Sequence, residues 1–216
     1  MSSPSRFIVV TGANGVGKTT AARGLADALP AALLRYSDGF RRFRDYGRLD
    51  TEVLPKARFL YYLAATVELS AVVDERLRDG HVVCDRYLES PASLVRAESN
   101  LSGTDIGELG APFEPWIRRP DLTVVLTAGY EAARERILRR GSAAVGLETL
   151  SRVQRRTLES AEFFREREGM LRLEAARLGP VAELHTSSLS EAEMCAAVVR
   201  TVREAFDLGS AGGGSG

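Results

Sequence analysis

Lysine is almost missing. Lys18 and Lys56 are the only two among 29 basic side chains, so arginine carries nearly all the positive charge. That scarcity makes the position of each lysine informative. An excess of one sign is missing too, since 29 acidic residues balance the 29 basic ones. A neutral chain has no broad field to draw in nucleic acid or a membrane surface, and neither is expected as a partner. Cysteine is limited to Cys84 and Cys195, too few for a metal-ligand cluster or a disulfide framework. Both are expected as reduced thiols of a cytoplasmic protein. No apolar run approaches the ~20 residues of a membrane span, and MSSPSRFIVV holds too short an apolar stretch for a secretory leader. The 44% of hydrophobic residues among 216 is enough for one core. Residues 1–208 are expected to form a single domain, and the GSAGGGSG of 209–216 a flexible linker or tag.

Five short apolar runs read as strands: Phe7–Thr11, Ala32–Tyr36, His81–Cys84, Leu122–Thr127 and Val181–His185. Helical periodicity lies between and after them, over Lys18–Leu29, Glu52–Asp79, Ser90–Glu98, Tyr130–Arg140, Thr149–Leu178 and Ser190–Phe206. Ser37–Asp50 reads as a loop or short helix. Asn100–Pro120 is rich in glycine and proline and reads as mostly loop. Gly141–Gly146 reads as a small-residue break, and Thr149–Leu178 as one long helix or two, with Gly169 the candidate point of division. Alternating strands and helices predict an α/β fold, a five-stranded parallel sheet with helices on both faces. Ligands of such sheets bind beyond the carboxyl ends of the strands.

The strongest motif sits at such an end. Gly12-Ala13-Asn14-Gly15-Val16-Gly17-Lys18-Thr19 satisfies G-x-x-x-x-G-K-S/T between a predicted strand and a predicted helix. This loop turns backbone N–H groups onto phosphate oxygens, and the helix N-terminus adds partial positive charge. Lys18, one of the two lysines, stands where a compact ammonium faces the outer phosphates. The Thr19 hydroxyl is a candidate magnesium ligand. ATP and Mg2+ are therefore the expected cofactors, with Gly12, Asn14, Gly15, Val16, Gly17, Lys18, Thr19 and Thr20 around the nucleotide's phosphates.

Just past the third strand come Asp85, Arg86 and Tyr87. Asp85 is expected either to hold a magnesium-bound water or to accept the proton of an attacking oxygen. Arg86 can clamp an acceptor's phosphate with two parallel N–H donors.

The phosphate loop, the Asp85-Arg86-Tyr87 run with Ser90 after it, the stretch Arg119-Pro-Asp-Leu-Thr-Val-Val-Leu126 and the Arg136-Ile-Leu-Arg-Arg140 helix end together resemble the thymidylate kinases. The resemblance spans about Phe7 to Phe206. It implies a P-loop nucleotide-kinase fold with a mobile lid, here about residues 139–152, and a homodimer. It implies an ATP-dependent phosphotransferase acting on a nucleoside monophosphate, a small-molecule acceptor. Catalytic roles would fall to Lys18, Asp85, Arg86 and Arg140, the last swinging in with the lid. Arg136 would lie near the adenine, Thr19 and Asp85 at the metal, and Arg86 and Ser90 at the acceptor. The family's other acceptor-phosphate arginine is displaced here, and Arg41, or Arg42 or Arg44 beside it, is the candidate to replace it, with Tyr62 or Tyr61 the candidate to stack on the acceptor's ring.

The chain departs from the family on the acceptor side. Asn14 stands where an acid is common, and Tyr62–Val67 lacks the arginine that reads a pyrimidine. Leu94 and Val95 follow where an aromatic and an amide are usual. These departures imply a modified nucleotide or a related small metabolite as an alternative acceptor. A nucleotide-hydrolysing switch is a third reading. It lacks the expected Asp-Glu strand end and any Asn-Lys-x-Asp run. His81, His185 and Trp116 read as structural, Trp116 as a packing plug.

Overall fold

The structure is a computed structural model that describes residues 4–40, 54–98, 103–144 and 150–207. The strands are β1 (Phe7–Gly12), β2 (Ala32–Arg35), β3 (Val82–Asp85), β4 (Leu122–Thr127) and β5 (Val181–His185). All pair in parallel, in the order β2-β3-β1-β4-β5. The central strands β1 and β4 are buried along their whole length, as a sheet covered on both faces requires.

Alternate residues of β1 divide the core. Ile8 and Val10 join Val124, Leu25 and Val198 on one side. Phe7 and Val9 join Val82, Phe59, Leu63 and Leu69 on the other. This period of two is the strand geometry itself. The first side is closed by α1 (Lys18–Ala28) and α8 (Glu191–Ala205). The second is closed by α2 (Pro55–Arg76), α3 (Glu89–Glu98) and α4 (Gly103–Gly110). Three further helices, α5 (Tyr130–Ala144), α6 (Arg152–Glu159) and α7 (Ala161–Leu178), follow β4.

The differences from the sequence reading have local causes. The span 103–116 is ordered as α4 and a 3-10 helix (Ala111–Trp116) rather than mostly loop. Ile106 and Ile117 bury in the second core, with Leu109 packed against it, which outweighs the glycines and prolines around them. Gly141 does not end α5, which continues to Ala144; one glycine costs a helix only about 1 kcal/mol relative to alanine. The division between α6 and α7 falls at Ser160, not Gly169. Ser160 is extended (φ −140°, ψ 112°), and its hydroxyl accepts the Phe163 N–H. Trp116 is 60% exposed and meets Phe113 edge-on, so it plugs nothing. Both cysteines are free thiols. Among the described residues no helix is long and apolar enough to cross a membrane.

Candidate active site

The site forms where β1 and β3 end side by side, Val10 in register with Asp85. From β1 the chain turns through the glycine loop into α1. Gly12 has φ 146° and Gly15 φ 84°, conformations that side chains rarely adopt. Space is as tight as the backbone. A Cβ on Gly12 would stand 2.3 Å from the Leu126 carbonyl oxygen, and one on Gly15 2.3 Å from that of Ala133. The ends of β4 and of the first turn of α5 thus press directly on the loop. No side chain caps α1, and no acid lies in its first turn. Its N–H groups remain available for an anion.

Lys18 opens α1 and is only 6% exposed. Its ammonium donates to the Ala13 carbonyl, across the loop. Burial holds its pKa well below the usual lysine range; Arg86, then Arg167 and Arg140, push it further down, while Asp85 opposes them. Lys18, Arg86, Arg136 and Arg140 gather on one small volume, which makes a strong anion site. A polar cavity of about 110 Å³ lies there, lined by Asn14, Gly15, Gly17, Lys18, Thr19, Arg86, Arg136, Ile137, Arg140 and Gln154.

Thr19 Oγ1 donates to Asp85 Oδ2 at 2.7 Å. The other carboxylate oxygen, Asp85 Oδ1, is buried without a hydrogen-bond partner. A hydroxyl and a half-satisfied carboxylate beside a phosphate loop are the oxygen donors magnesium takes, since that ion uses one or two protein groups and fills its shell with phosphate and water. The residues therefore fit the ion. Among the described residues no group of three or more His, Cys, Asp or Glu could hold a metal.

Arg86 follows Asp85 with φ 73°, left-handed for a non-glycine residue, a conformation costing about 1–3 kcal/mol. Its surroundings hold it there. Its N–H donates to the Val10 carbonyl at 3.1 Å. Its guanidinium donates to Ser90 Oγ at 2.7 Å and to Asn14 Oδ1 at 2.8 Å. Tyr87 anchors the turn from below: its ring meets Phe7 edge-on at 5.2 Å, and its hydroxyl bonds Ser70.

Arg136 reaches the other side of the loop. It donates to the Thr186 carbonyl at 2.6 Å and to the Thr186 hydroxyl at 3.2 Å. That hydroxyl shares its one hydrogen between the carbonyls of Val16 and Thr127, each at 3.0 Å. Thr186 thus ties the ends of β4 and β5 to the phosphate loop.

The structure brings together most of the residues expected from sequence. Val16 is buried in the core beneath the loop, and Thr20 lies in the first turn of α1, where its carbonyl faces the Cys195 thiol. Tyr62 is 4% exposed, packed among Phe59 and Leu63, with its carbonyl accepting the Tyr36 hydroxyl. Arg41 lies outside the described residues, as does 145–149 of the expected lid. Sequence reasoning passed over Gln154, Arg167, Thr186 and Glu89. Thr186 had one available signal, its position just past a strand end.

Glu89 is 1% exposed. Its Oε1 accepts the Tyr87 N–H at 3.0 Å. Burial raises its pKa; the nearby Thr11 hydroxyl, backbone N–H groups and Arg86 pull the other way without cancelling it. A carboxyl with a raised folded pKa binds its proton more tightly in the folded chain. Stability from this group is present below the unfolded value near 4.5 and is lost as pH rises through the folded one. Glu89→Gln keeps an acceptor for Tyr87 but cannot ionise. It is expected to match the parent in urea unfolding at pH 4 and to exceed it at pH 8. Equal gaps at both pH values would contradict this account.

A family model described as thymidylate kinase matches residues 10–186. The thymidylate kinase of Chromohalobacter salexigens is 32% identical over 152 residues, covering 64% of this chain and 71% of its own. A probable thymidylate kinase of Methanocaldococcus jannaschii is 29% identical over 134 residues, covering 61% and 69%. Among solved structures, the Candida albicans thymidylate kinase aligns over 94% of this chain and 93% of its own with a TM-score of 0.64, at 16% identity, a likeness of fold. With the match running from the middle of β1 to the Thr186 tie beyond β5, the chain belongs to the thymidylate kinase family.

Proposed function

We propose that this chain is an ATP-dependent kinase that transfers the γ-phosphoryl group to a nucleoside monophosphate. The observation that carries the reading is the junction of two phosphate-binding elements. Lys18 and the α1 N-terminus belong to the donor side, and Arg86, held between Asn14 and Ser90, to the acceptor side. In the reaction the bond from the γ-phosphorus to its bridging oxygen breaks, and one forms to an oxygen of the acceptor's phosphate. The products are ADP and a diphosphate.

The loop's N–H groups and Lys18 bind the donor phosphates; Lys18 exchanges its bond to the Ala13 carbonyl for one to a phosphate oxygen. Thr19 and Asp85 would hold magnesium, which when bound neutralises charge on the β- and γ-oxygens. Arg86 orients the acceptor phosphate. Arg140 supplies charge to the transferred group, and Arg136 lies toward the nucleotide's base. A lid over about 139–152 would exclude water.

One observation favours a second acceptor class, a modified nucleotide or related metabolite phosphate. Leu94 is packed against Val153 and Phe163, and the Thr66 hydroxyl is spent on the Tyr62 carbonyl. These positions offer little to a pyrimidine edge, and each unpaired polar atom there would cost about 1–3 kcal/mol.

The test is a panel of nucleoside monophosphates and nucleosides with ATP and magnesium, products read by mass spectrometry. A diphosphate formed one-for-one with ADP is expected. ADP and free phosphate alone would overturn the kinase reading. Thymidylate turnover within the ~1–100 s⁻¹ of ordinary kinases would remove the second acceptor class.

A further inference from the structure

Thr186 follows β5 directly and is fully buried. Its hydroxyl oxygen accepts an N–H of Arg136 at 3.2 Å. A guanidinium offers donors only, so the hydroxyl's own hydrogen is left for the carbonyls of Val16 and Thr127, each at 3.0 Å. The two carbonyls do not depend on it equally. That of Thr127 also accepts the Thr186 backbone N–H at 2.8 Å. That of Val16 belongs to the glycine loop, 170 residues away in sequence. The hydroxyl is itself held from behind. Arg136 also donates to the Thr186 carbonyl at 2.6 Å and to the Ser187 carbonyl at 3.4 Å.

The bond to Val16 fixes more than a carbonyl. The peptide that joins Val16 to Gly17 is trans, so its C=O and its N–H point in opposite directions. With the Val16 carbonyl turned onto Thr186, the Gly17 N–H points away from Thr186. Gly17 lines the phosphate cavity. Its φ of 97° lies in the left-handed region that glycine adopts readily. A Cβ at Gly17 would stand 2.5 Å from Met194 Sδ, so α8 backs this peptide on a further side.

We propose that Thr186 is a positioning residue for the donor phosphates: by holding the Val16 carbonyl, its hydroxyl aims the Gly17 N–H at a phosphate oxygen. This deepens the donor half of the proposed function and rests on it. A glycine-rich loop has the widest backbone freedom of any segment, and an N–H stabilises an anion best when it is oriented before the anion arrives. Thr186 supplies that orientation without touching the ligand. The line Arg136–Thr186–Val16 runs through protein from α5 to the phosphate loop. A hydroxyl that only sealed the ends of β4 and β5 would affect folding and leave phosphate affinity alone.

The probes are a non-hydrolysable ATP analogue and inorganic tripolyphosphate, each with magnesium, titrated calorimetrically into the full chain. Tripolyphosphate carries no base, so it reports on the phosphate loop by itself. Thr186→Val keeps the shape and removes the hydroxyl. It is expected to weaken both ligands to the same degree, by about three- to tenfold, the range of one neutral hydrogen bond. Thr186→Ser returns the hydroxyl and should return parent-like affinity for both. Were Thr186→Val not to fold, Thr186→Ala, which lacks the hydroxyl and adds no bulk, decides. A lower melting temperature with both affinities unchanged would reduce Thr186 to a seal between strands and overturn the proposal. A loss confined to the ATP analogue, or one that Thr186→Ser does not repair, would overturn it equally. A parent chain that binds neither probe would overturn the donor-site reading and this inference with it.

Discussion

Lys18→Met is expected to cut kcat/KM by about 10²–10³-fold or more while leaving the chain folded. The magnitude is that of losing one preorganised group aimed at developing charge in a site shielded from water. Lys18 is 6% exposed and lies against the glycine loop, so its charge acts through protein rather than solvent. Folding should respond in the opposite direction. Burial, Arg86, Arg167 and Arg140 lower the pKa of Lys18, so the folded chain holds that proton less tightly than the unfolded chain, where the value is near 10.5. Without nucleotide the protonated lysine therefore costs stability at neutral pH, and the cost fades as pH rises through the folded value toward the unfolded one. The methionine variant has no such cost. It should melt at or above the parent's temperature at pH 7, with the gap narrowing toward pH 10. Steady-state kinetics beside thermal melts at both pH values check this. Undiminished turnover would remove Lys18 from the reaction, and a lower melting temperature at pH 7 would contradict the account of its burial.

The opposing effects on Lys18 illustrate which features a sequence displays. The glycine loop was legible because its requirements are local: backbone freedom at Gly12 and Gly15, an ammonium and a hydroxyl at fixed offsets. The five strands were legible because each is a short apolar run, and sheet order then brought Asp85 beside Val10 without further information. Features that depend on long-range closure were not legible. Glu89 reads as an ordinary acidic residue at a helix start, and only the folded chain buries it and sets its carboxylate against the Tyr87 N–H. Thr186 bonds Val16, 170 residues away. Ile106 and Ile117 looked like loop residues until the second core claimed them. Serine at 160 carries a cap signal, yet glycine at 169 carries an equally good break signal. The hydrogen bond to Phe163 decides between them.

Arg86 joins local strain to long-range contact, and Arg86→Lys is expected to lower kcat/KM for the acceptor by about 10²–10³-fold, more than it lowers ATP affinity. A guanidinium presents planar, parallel donors, whereas an ammonium is a single flexible point charge. In the structure one nitrogen of Arg86 reaches Ser90 and another reaches Asn14, so the fork is already oriented across the junction between donor and acceptor sides. Lysine cannot span both partners at once. The turn itself should persist, because Tyr87 anchors it through Phe7 and Ser70, and the Arg86 N–H bonds Val10 through the backbone. The variant should therefore keep a parent-like circular dichroism spectrum and bind an ATP analogue within a few-fold, while its KM for the acceptor rises and its kcat falls. Guanidinium ion added to Arg86→Ala should restore part of the lost rate, since it returns the missing donors without the tether. If Arg86→Lys instead lost ATP affinity and acceptor turnover to the same degree, Arg86 would belong to the donor side. The strained φ of 73° would then serve the phosphate loop through Asn14 alone.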